Sequence, residues 1–498
     1  MTVAADSVPM ALAAILGDAQ VVSEPAACAA WAVGGKVPKY GVEPATAECV
    51  AAVLKIAADH DLAVIPRGNG TKLGLGSAPT RYDLSLSLQK LNRVRHYEPA
   101  DLTISVEAGM KLGELQDFLG RDGLWLPLDP RGGAAATIGG ILASNSAGPL
   151  RLRFGSARDM VLGIRVATTE GKLIKSGGRV VKNVAGYDLC KLLVGSYGTL
   201  GLIVEASFKL FPRPASRATW VLEPGTLGRA RDLRGRILTS PLEPLRMVLL
   251  DSGASGLFRQ GTHPGEEPEL WIEAGGSPRI LERHAQDLAE IGQSMGVASR
   301  RMDEQAELRL WDQLINFEQP LAALHTEVMV LRASLPIAGS ERFLSLARQA
   351  AEGEGVRMAG IAQPGVGIVH LGLWAERLGD VTERLVTNVR KSAASLGGAL
   401  VVERYPAGFQ RERDVWGTPG DVLQSMRGLK AVWDPRGILR PGGSWGEFRK
   451  QKVQGRRPKR ASPQRSRSSL RRDAVYSLRS LWPLWLVFLR GRRLIADG

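Results

Sequence analysis

Cysteine is scarce: 498 residues carry three, Cys28, Cys49 and Cys190, and no two form a CxxC pair. That spacing excludes a disulfide framework and a zinc or iron–sulfur site of the chain's own, and a reducing cytoplasm is the expected compartment. Long hydrophobic runs are missing too. "LWPLWLVFL", Leu481 to Leu489, is nine residues interrupted by Pro483, well under the roughly 20 needed to span a bilayer. The apolar Met10 to Leu16 has Asp6 and no Lys or Arg ahead of it, so the basic n-region of a signal peptide is lacking.

Net positive charge is nearly absent from the body although the chain as a whole is basic. From Arg449 onward fifteen Lys or Arg face two Asp, a net +13 of the total +15, which leaves +2 for residues 1–448. A nearly neutral body gives no electrostatic footprint for nucleic acid. Two readings of the tail stay open. Its cations and "LWPLWLVFL" could dock peripherally on an anionic membrane surface, the inner face of the cell membrane; or residues 449–498 are a poorly constrained extension. Beyond Gly443 the chain turns to Arg, Ser and Pro with few apolar residues, a composition that predicts disorder.

What is present is glycine, in loops. The length allows two or three domains and a large core. Val50, Val53, Leu54 and Ala57 form a helical stripe, "LAVI" then reads as a strand, and it runs into "VIPRGNGTKLGLG" (Val64 to Gly76). Glycine lets main-chain N–H groups approach an anionic ligand. The two familiar phosphate loops do not match: Lys72 is followed by Leu73 rather than Ser or Thr, and a GxGxxG from Gly68 finds Leu73 where its third glycine belongs.

Downstream, "LTISVEAG" predicts a strand with Leu102, Ile104 and Val106 on one face. "KLGELQDFLGRDG" predicts a short helix burying Leu112, Leu115 and Leu119, and "LGIRVATTEGKLIKSG" two strands about Glu170-Gly171. "LGLIVEASFKLFPRP" alternates Leu202, Val204, Ala206, Phe208 and Leu210, and Pro212 and Pro214 mark a boundary. Residues 215–440 mix helical stretches such as "SERFLSLARQAAEGEG" and "DVTERLVTNVRKSAASLGG" with strands such as "RMVLLD" and "EVMVLRASL". The expected class is α+β, with no internal repeat evident: an N-terminal helical segment at 1–34, a first domain at 35–214, a second at 215–445 and the tail at 446–498.

Three more glycine-rich pieces follow the first: "PLDPRGGAAATIGGILASNSAG", "FGSARDMVLGIRV" and "VAGYDLCKLLVGSYGTLGLIVEASFKLFPRP". The ordered series resembles the PCMH-type FAD-binding domain of the vanillyl-alcohol oxidase class over residues 35–214. "KNVAGYDL", "GSYGTLG" and "DPRGILRPGG" are most similar to the GlcE family, the FAD-binding subunits of bacterial glycolate oxidase. The resemblance implies a two-subdomain FAD-binding domain, an FAD-linked-oxidase-like second domain, and cofactor contacts from Arg67, Gly68, Asn69, Gly70, Thr71, Pro130, Thr137, Gly139, Gly140, Asn145, Gly148, Gly201 and Ile203. Gly139 and Gly140 would lie along the pyrophosphate and ribityl chain, Pro130 near the flavin, and Ile203 beside the adenine. Thr71 stands where relatives with covalently attached flavin carry histidine, so FAD is expected to be non-covalent. "LRPGG" replaces the usual Asn-Pro-Gly-Arg ending, which puts a C-terminal contact to the flavin in doubt.

For catalysis the sequence offers little. His370 in "GIVHLGLW" is the nearest candidate for taking a hydroxyl proton, with no second histidine or acidic residue beside it in sequence; His325 is equally solitary. No metal site is expected. The resemblance implies a hetero-oligomeric complex with a second FAD-binding subunit and an iron–sulfur subunit, acting on glycolate as a small 2-hydroxy acid. A self-sufficient FAD oxidase of a sugar alcohol or lactone, and a non-catalytic flavin-carrying assembly subunit, are the alternatives.

Overall fold

The structure is a computed structural model that describes residues 7–179, 188–258, 267–406, 414–417 and 422–442. The basic tail and most of "KNVAGYDL" therefore lie outside the described residues. Two main sheets build the first domain, beside a two-stranded ribbon of Leu124–Trp125 and Phe211–Pro212. One orders Val21–Val22, Tyr40–Val42, Leu84–Ser87 and Val64–Arg67, the last three mutually parallel. Parallel neighbours need a crossover, and the helix Ala47–Asp59 supplies it. Thr46 caps that helix by accepting from the Cys49 N–H at 3.1 Å, and Val50, Val53, Leu54 and Ala57 are buried as the stripe predicts. The N-terminal helix Ser7–Leu16 adds Val8, Leu12 and Leu16 to the same core.

The second sheet is antiparallel throughout: Val94–Glu98, Thr103–Glu107, Leu202–Lys209, Val161–Ala167 and Leu173–Gly177. Leu112, Leu115 and Leu119 of the helix Leu112–Gly120 pack against it. Two expectations are modified here. Thr103–Glu107 is buried on both faces, with Ser105 and Ser207 sharing a hydroxyl hydrogen bond of 2.7 Å. In Leu202–Lys209 a bulge between Ile203 and Glu205 interrupts the alternation. Leu202 and Val204 consequently join the core of the first sheet, and Ala206 and Phe208 that of the second. A bulge adds one residue and turns the strand locally, so one strand closes both subdomains.

The second domain is one eight-stranded sheet in the order Ala298–Arg301, Ser216–Glu223, Glu269–Gly276, Arg246–Leu250, Arg357–Gln363, Ile368–Trp374, Val328–Ser334, Ala399–Arg404. In chain order this reads 4-1-3-2 followed by 2-3-1-4. Two like-folded units meet edge to edge through Leu249–Ala362 and Leu250–Ile361. The structure thus contains a duplication that the sequence reading did not find, since helix and strand order repeat while the residues do not. Helices Leu227–Leu238, Pro278–Ser294, Ser340–Glu352 and Leu378–Ser395 cover one face with Leu233, Leu288, Phe343 and Leu385. The opposite face holds Val248, Trp271, Val330 and Ile361, with Trp311 and Phe317 packed on it.

After the helix Leu423–Trp433 the chain returns to the first domain. Asp434 accepts from the N–H groups of Ile438 (3.1 Å) and Leu439 (2.8 Å). Val64 N–H donates to Ile438 O and Arg440 N–H to Val64 O, both at 2.8 Å. The end of the second domain is thereby hydrogen-bonded to the strand that precedes the first glycine loop. Among the described residues no helix is long and apolar enough to cross a membrane.

Candidate active site

The glycine loop leaves the C-terminal end of the parallel strand Val64–Arg67, the end at which open parallel sheets present ligand sites. A cleft opens there, lined by residues 66–73, Leu88, Ala108, Thr137, Gly139, Gly140, Ala143, Ser144, residues 196–198, residues 201–203 and Arg440. Gly68 is fixed by a close approach: a Cβ there would stand 2.0 Å from Thr137 Oγ1. Thr137 in turn caps the helix Ile138–Ser144, its hydroxyl accepting from the Gly140 N–H at 3.3 Å. Gly70 has φ +78°, the left-handed region.

Asn69 braces the loop, its side chain bonded to Ala135 O and to Gln89 at 3.1 Å each. The Arg67 guanidinium sits 5.4 Å from the Trp31 ring centroid. Among the described residues no group accepts from the main-chain N–H of Asn69, Gly70 or Thr71. Those donors beside an apolar wall of Leu73, Leu88, Ala108 and Ile203 suit a cofactor that has both a charged linker and flat rings.

Ten of the thirteen expected cofactor residues line this cleft: Arg67, Gly68, Asn69, Gly70, Thr71, Thr137, Gly139, Gly140, Gly201 and Ile203. Pro130, Asn145 and Gly148 lie outside the lining, on the adjoining segments that contain Asp129 and the end of the capped helix. Gly148 packs against the Asp129 carbonyl. Asn145 ends the helix with φ 46°, and its buried Oδ1 has no partner among the described residues. The "LRPGG" segment itself borders the cleft. Arg440, in that segment, lines the cleft, donates to Leu75 O at 2.5 Å and sits 5.8 Å from the Tyr197 ring centroid. The C-terminal segment thus brings a cation to the cleft lining.

A second cluster begins where the cleft ends. Lys72 Nζ donates to the Arg131 carbonyl. Arg131 crosses to the second domain with Nη1 2.8 Å from Glu318 and Nη2 2.7 Å from Glu403, its guanidinium 5.4 Å from the Phe317 ring centroid. Gly132 N–H donates to Asn316 Oδ1 at 2.8 Å. Glu403 also takes Arg332 Nε at 2.9 Å, and His370 Nε2 lies 4.0 Å away. Arg332 and His370 stand opposite each other on adjacent strands, so their side chains share a sheet face.

His370 is therefore not solitary. Its acidic neighbour is 33 residues further along the chain, on a strand two places away in the sheet. Burial and the guanidiniums of Arg131 and Arg332 push the imidazole down to about 3, against the pull of Glu403. Burial alone would raise Glu403, but Arg131 and Arg332 outweigh it and hold the carboxyl down to about 2. Burial and the nearby Arg131 lower Lys72 to about 8. At neutral pH the cluster is a neutral imidazole beside a carboxylate clamped between two guanidiniums. Among the described residues no group of three or more His, Cys, Asp or Glu is arranged to hold a metal ion.

Lys72, Arg131, Tyr197, Arg332, Glu403 and Arg440 were not singled out by sequence. Lys72 and Arg131 lie inside quoted glycine stretches, where a charge next to an expected cofactor loop was the available signal. Arg332 and Glu403 sit in strands with no motif, and only strand pairing brings them together.

Comparison with known proteins agrees with this architecture. The family model described as FAD binding domain matches residues 38–177, and that of the FAD linked oxidases, C-terminal domain, residues 214–443. The chain is 27% identical over 428 residues to glycolate oxidase subunit GlcD of Bacillus subtilis, covering 84% of this chain and 91% of that protein. It is 29% identical over 417 residues to D-lactate dehydrogenase of Archaeoglobus fulgidus, covering 80% and 90%. Among solved structures, p-cresol methylhydroxylase with substrate bound superposes with a TM-score of 0.71 at 18% identity, over 88% of this chain and 96% of that one, a likeness of fold. The expected fold class and cofactor both hold: the chain is an FAD-linked oxidoreductase, built from a PCMH-type FAD-binding domain and the C-terminal domain of the FAD-linked oxidases.

Proposed function

We propose that this FAD-linked oxidoreductase oxidises a small 2-hydroxy acid, glycolate being the first candidate, to the 2-keto acid. We further propose that it does so as the GlcE-type subunit of a glycolate oxidase complex, with electrons leaving through a second flavin subunit and an iron–sulfur subunit. The curated relatives act on glycolate and D-lactate by name. The observation that carries the reading is His370 beside Glu403, Arg131 and Arg332, reached from the cleft through Lys72.

Bound FAD supplies the acceptor for the α-hydrogen and its electron pair. The neutral imidazole of His370 takes the hydroxyl proton at Nε2, and Glu403 stabilises the imidazolium that forms. Arg131 and Arg332 keep Glu403 ionised. An anionic substrate adds negative charge to the cluster and so raises the basicity of His370 when it is needed. Thr71 offers no histidine for attachment, and FAD is held non-covalently.

A second reading is favoured by the same pair. A histidine with an ionised neighbour is a complete base, which fits a self-sufficient enzyme better than an inactive carrier. The test is acid precipitation of the purified flavoprotein, then anaerobic glycolate or D-lactate with and without the presumed partner subunits. Release of free FAD and bleaching near 450 nm (approximately the oxidised-flavin band) only with partners supports the complex. Bleaching by the isolated chain supports self-sufficiency, and no bleaching in either case removes the 2-hydroxy-acid reading.

A further inference from the structure

The short helix Arg151–Phe154 joins the segment of Gly148 to the second domain, and three of its four side chains have evident roles. Leu152 packs a methyl against Gly365, in the turn that leads to the His370 strand. Arg153 pairs with Glu243 at 2.7 Å. Phe154 packs edge-on with Trp125, ring centroids 5.5 Å apart. Arg151 remains. Among the described residues no carboxylate pairs with it, although it is half-buried; burial lowers its pKa, with Arg332 adding to the effect and Asp159 opposing it.

The other cations around His370 are committed. Arg131 is shared by Glu318 and Glu403, and Arg332 by Glu403 and the Ser334 hydroxyl at 3.1 Å. Lys72 is bound to the Arg131 carbonyl, and Arg440 lies within the cofactor cleft, bound to Leu75 O. A half-buried cation without a counter-ion carries a desolvation cost, and its natural partner is an anion that arrives with the ligand. On the sheet face of His370, Gln363 is buried with Oε1 unpartnered among the described residues. It lies on the strand next to that of His370, two residues from the position directly opposite it, so the face presents an acceptor for a ligand hydroxyl as well.

We propose that Arg151 anchors the carboxylate of the 2-hydroxy acid and is the residue that selects anionic substrates over neutral alcohols. This rests on the reading above of a 2-hydroxy-acid substrate. A guanidinium binds a carboxylate through two charge-assisted N–H donors, and the short helix that carries it packs through Leu152 on the turn leading to the His370 strand.

The experiment is a titration of the FAD-loaded chain with oxalate, a non-oxidisable analogue of glycolate, followed by the flavin difference spectrum. It is done for the parent, Arg151→Met and Arg151→Lys, with acetate and 1,2-propanediol as further probes. Loss of the anchor is expected to raise the oxalate Kd about 10- to 100-fold in Arg151→Met, with partial recovery in Arg151→Lys and unchanged flavin content and melting temperature. Propanediol is expected to bind weakly and equally to all three. Oxalate affinity unchanged in Arg151→Met overturns the proposal, as does a parent flavin that no carboxylate perturbs. Arg151-dependent oxalate binding in a protein that neither glycolate nor D-lactate reduces upholds the anchor and removes the 2-hydroxy-acid reading.

Discussion

The cleft and the interdomain cluster meet at Lys72 and are built by different means. The cleft is mostly main chain: Gly68 packs on Thr137, Gly70 turns the loop, and the N–H groups of residues 69–71 have no acceptor among the described residues. The cluster is made of side chains, with Arg131, Arg332, His370 and Glu403 contributed by four separate segments. A main-chain site depends on shape and fails through steric intrusion. A side-chain site depends on charge balance and fails when one partner is removed and the other stays buried.

This difference can be probed by substitution, and the largest effect is expected in the cluster. Arg131→Met leaves Glu318 and Glu403 without their shared cation in a buried site, which costs about 3–5 kcal/mol. Chemical denaturation should show that loss together with absent turnover. In the cleft, Gly68→Ala forces Thr137 to move, an overpacking cost of about 1–3 kcal/mol. Its marker is a low flavin-to-protein ratio, which Arg131→Met should not reproduce to the same degree.

The pH dependence of stability separates the two further. His370 is depressed from 6.5 to about 3, so its contribution is present above pH 6.5 and lost as the pH falls through 3. Glu403, lowered from 4.5 to about 2, adds a loss over a more acid range. Asp129, raised from 3.8 to about 6 chiefly by burial despite Arg246, has the opposite sign: its contribution is present below 3.8 and lost as the pH rises through 6. Denaturation midpoints for His370→Gln should therefore fall less between pH 6.5 and 3 than those of the parent, by up to about 1.4 kcal/mol per pH unit. The cleft contains no such titrating pair, and Gly68→Ala should leave the slope unchanged.

The smallest effect sharpens the comparison most. Thr226→Ala and Thr137→Ala each remove a helix N-cap worth about 1 kcal/mol. Thr226 lies far from the cleft lining, so only Thr137→Ala should also weaken FAD retention on dilution or dialysis.

These same differences explain what the sequence disclosed. Glycine loops are contiguous in the chain, and their order along residues 64–203 carries both the fold and most of the cleft lining. Strand periodicity located Ile104 and Phe208, but it could not show the bulge after Ile203 that divides one strand between two cores. The cluster was illegible for a different reason: Glu403 meets His370 only because the strand Val328–Ser334 pairs with both of theirs. Arg440 was hidden in a segment whose departure from the family ending suggested a lost contact, whereas the guanidinium reaches the cleft from that position.

The most direct test of the account is anaerobic reduction of the FAD-loaded protein by glycolate and D-lactate, with partner subunits supplied, in the parent and in His370→Gln. Bleaching of the parent flavin by at least one of these acids is expected, with a rate reduced about 100-fold or more in His370→Gln and flavin content preserved. Reduction of His370→Gln at the parent rate would contradict it.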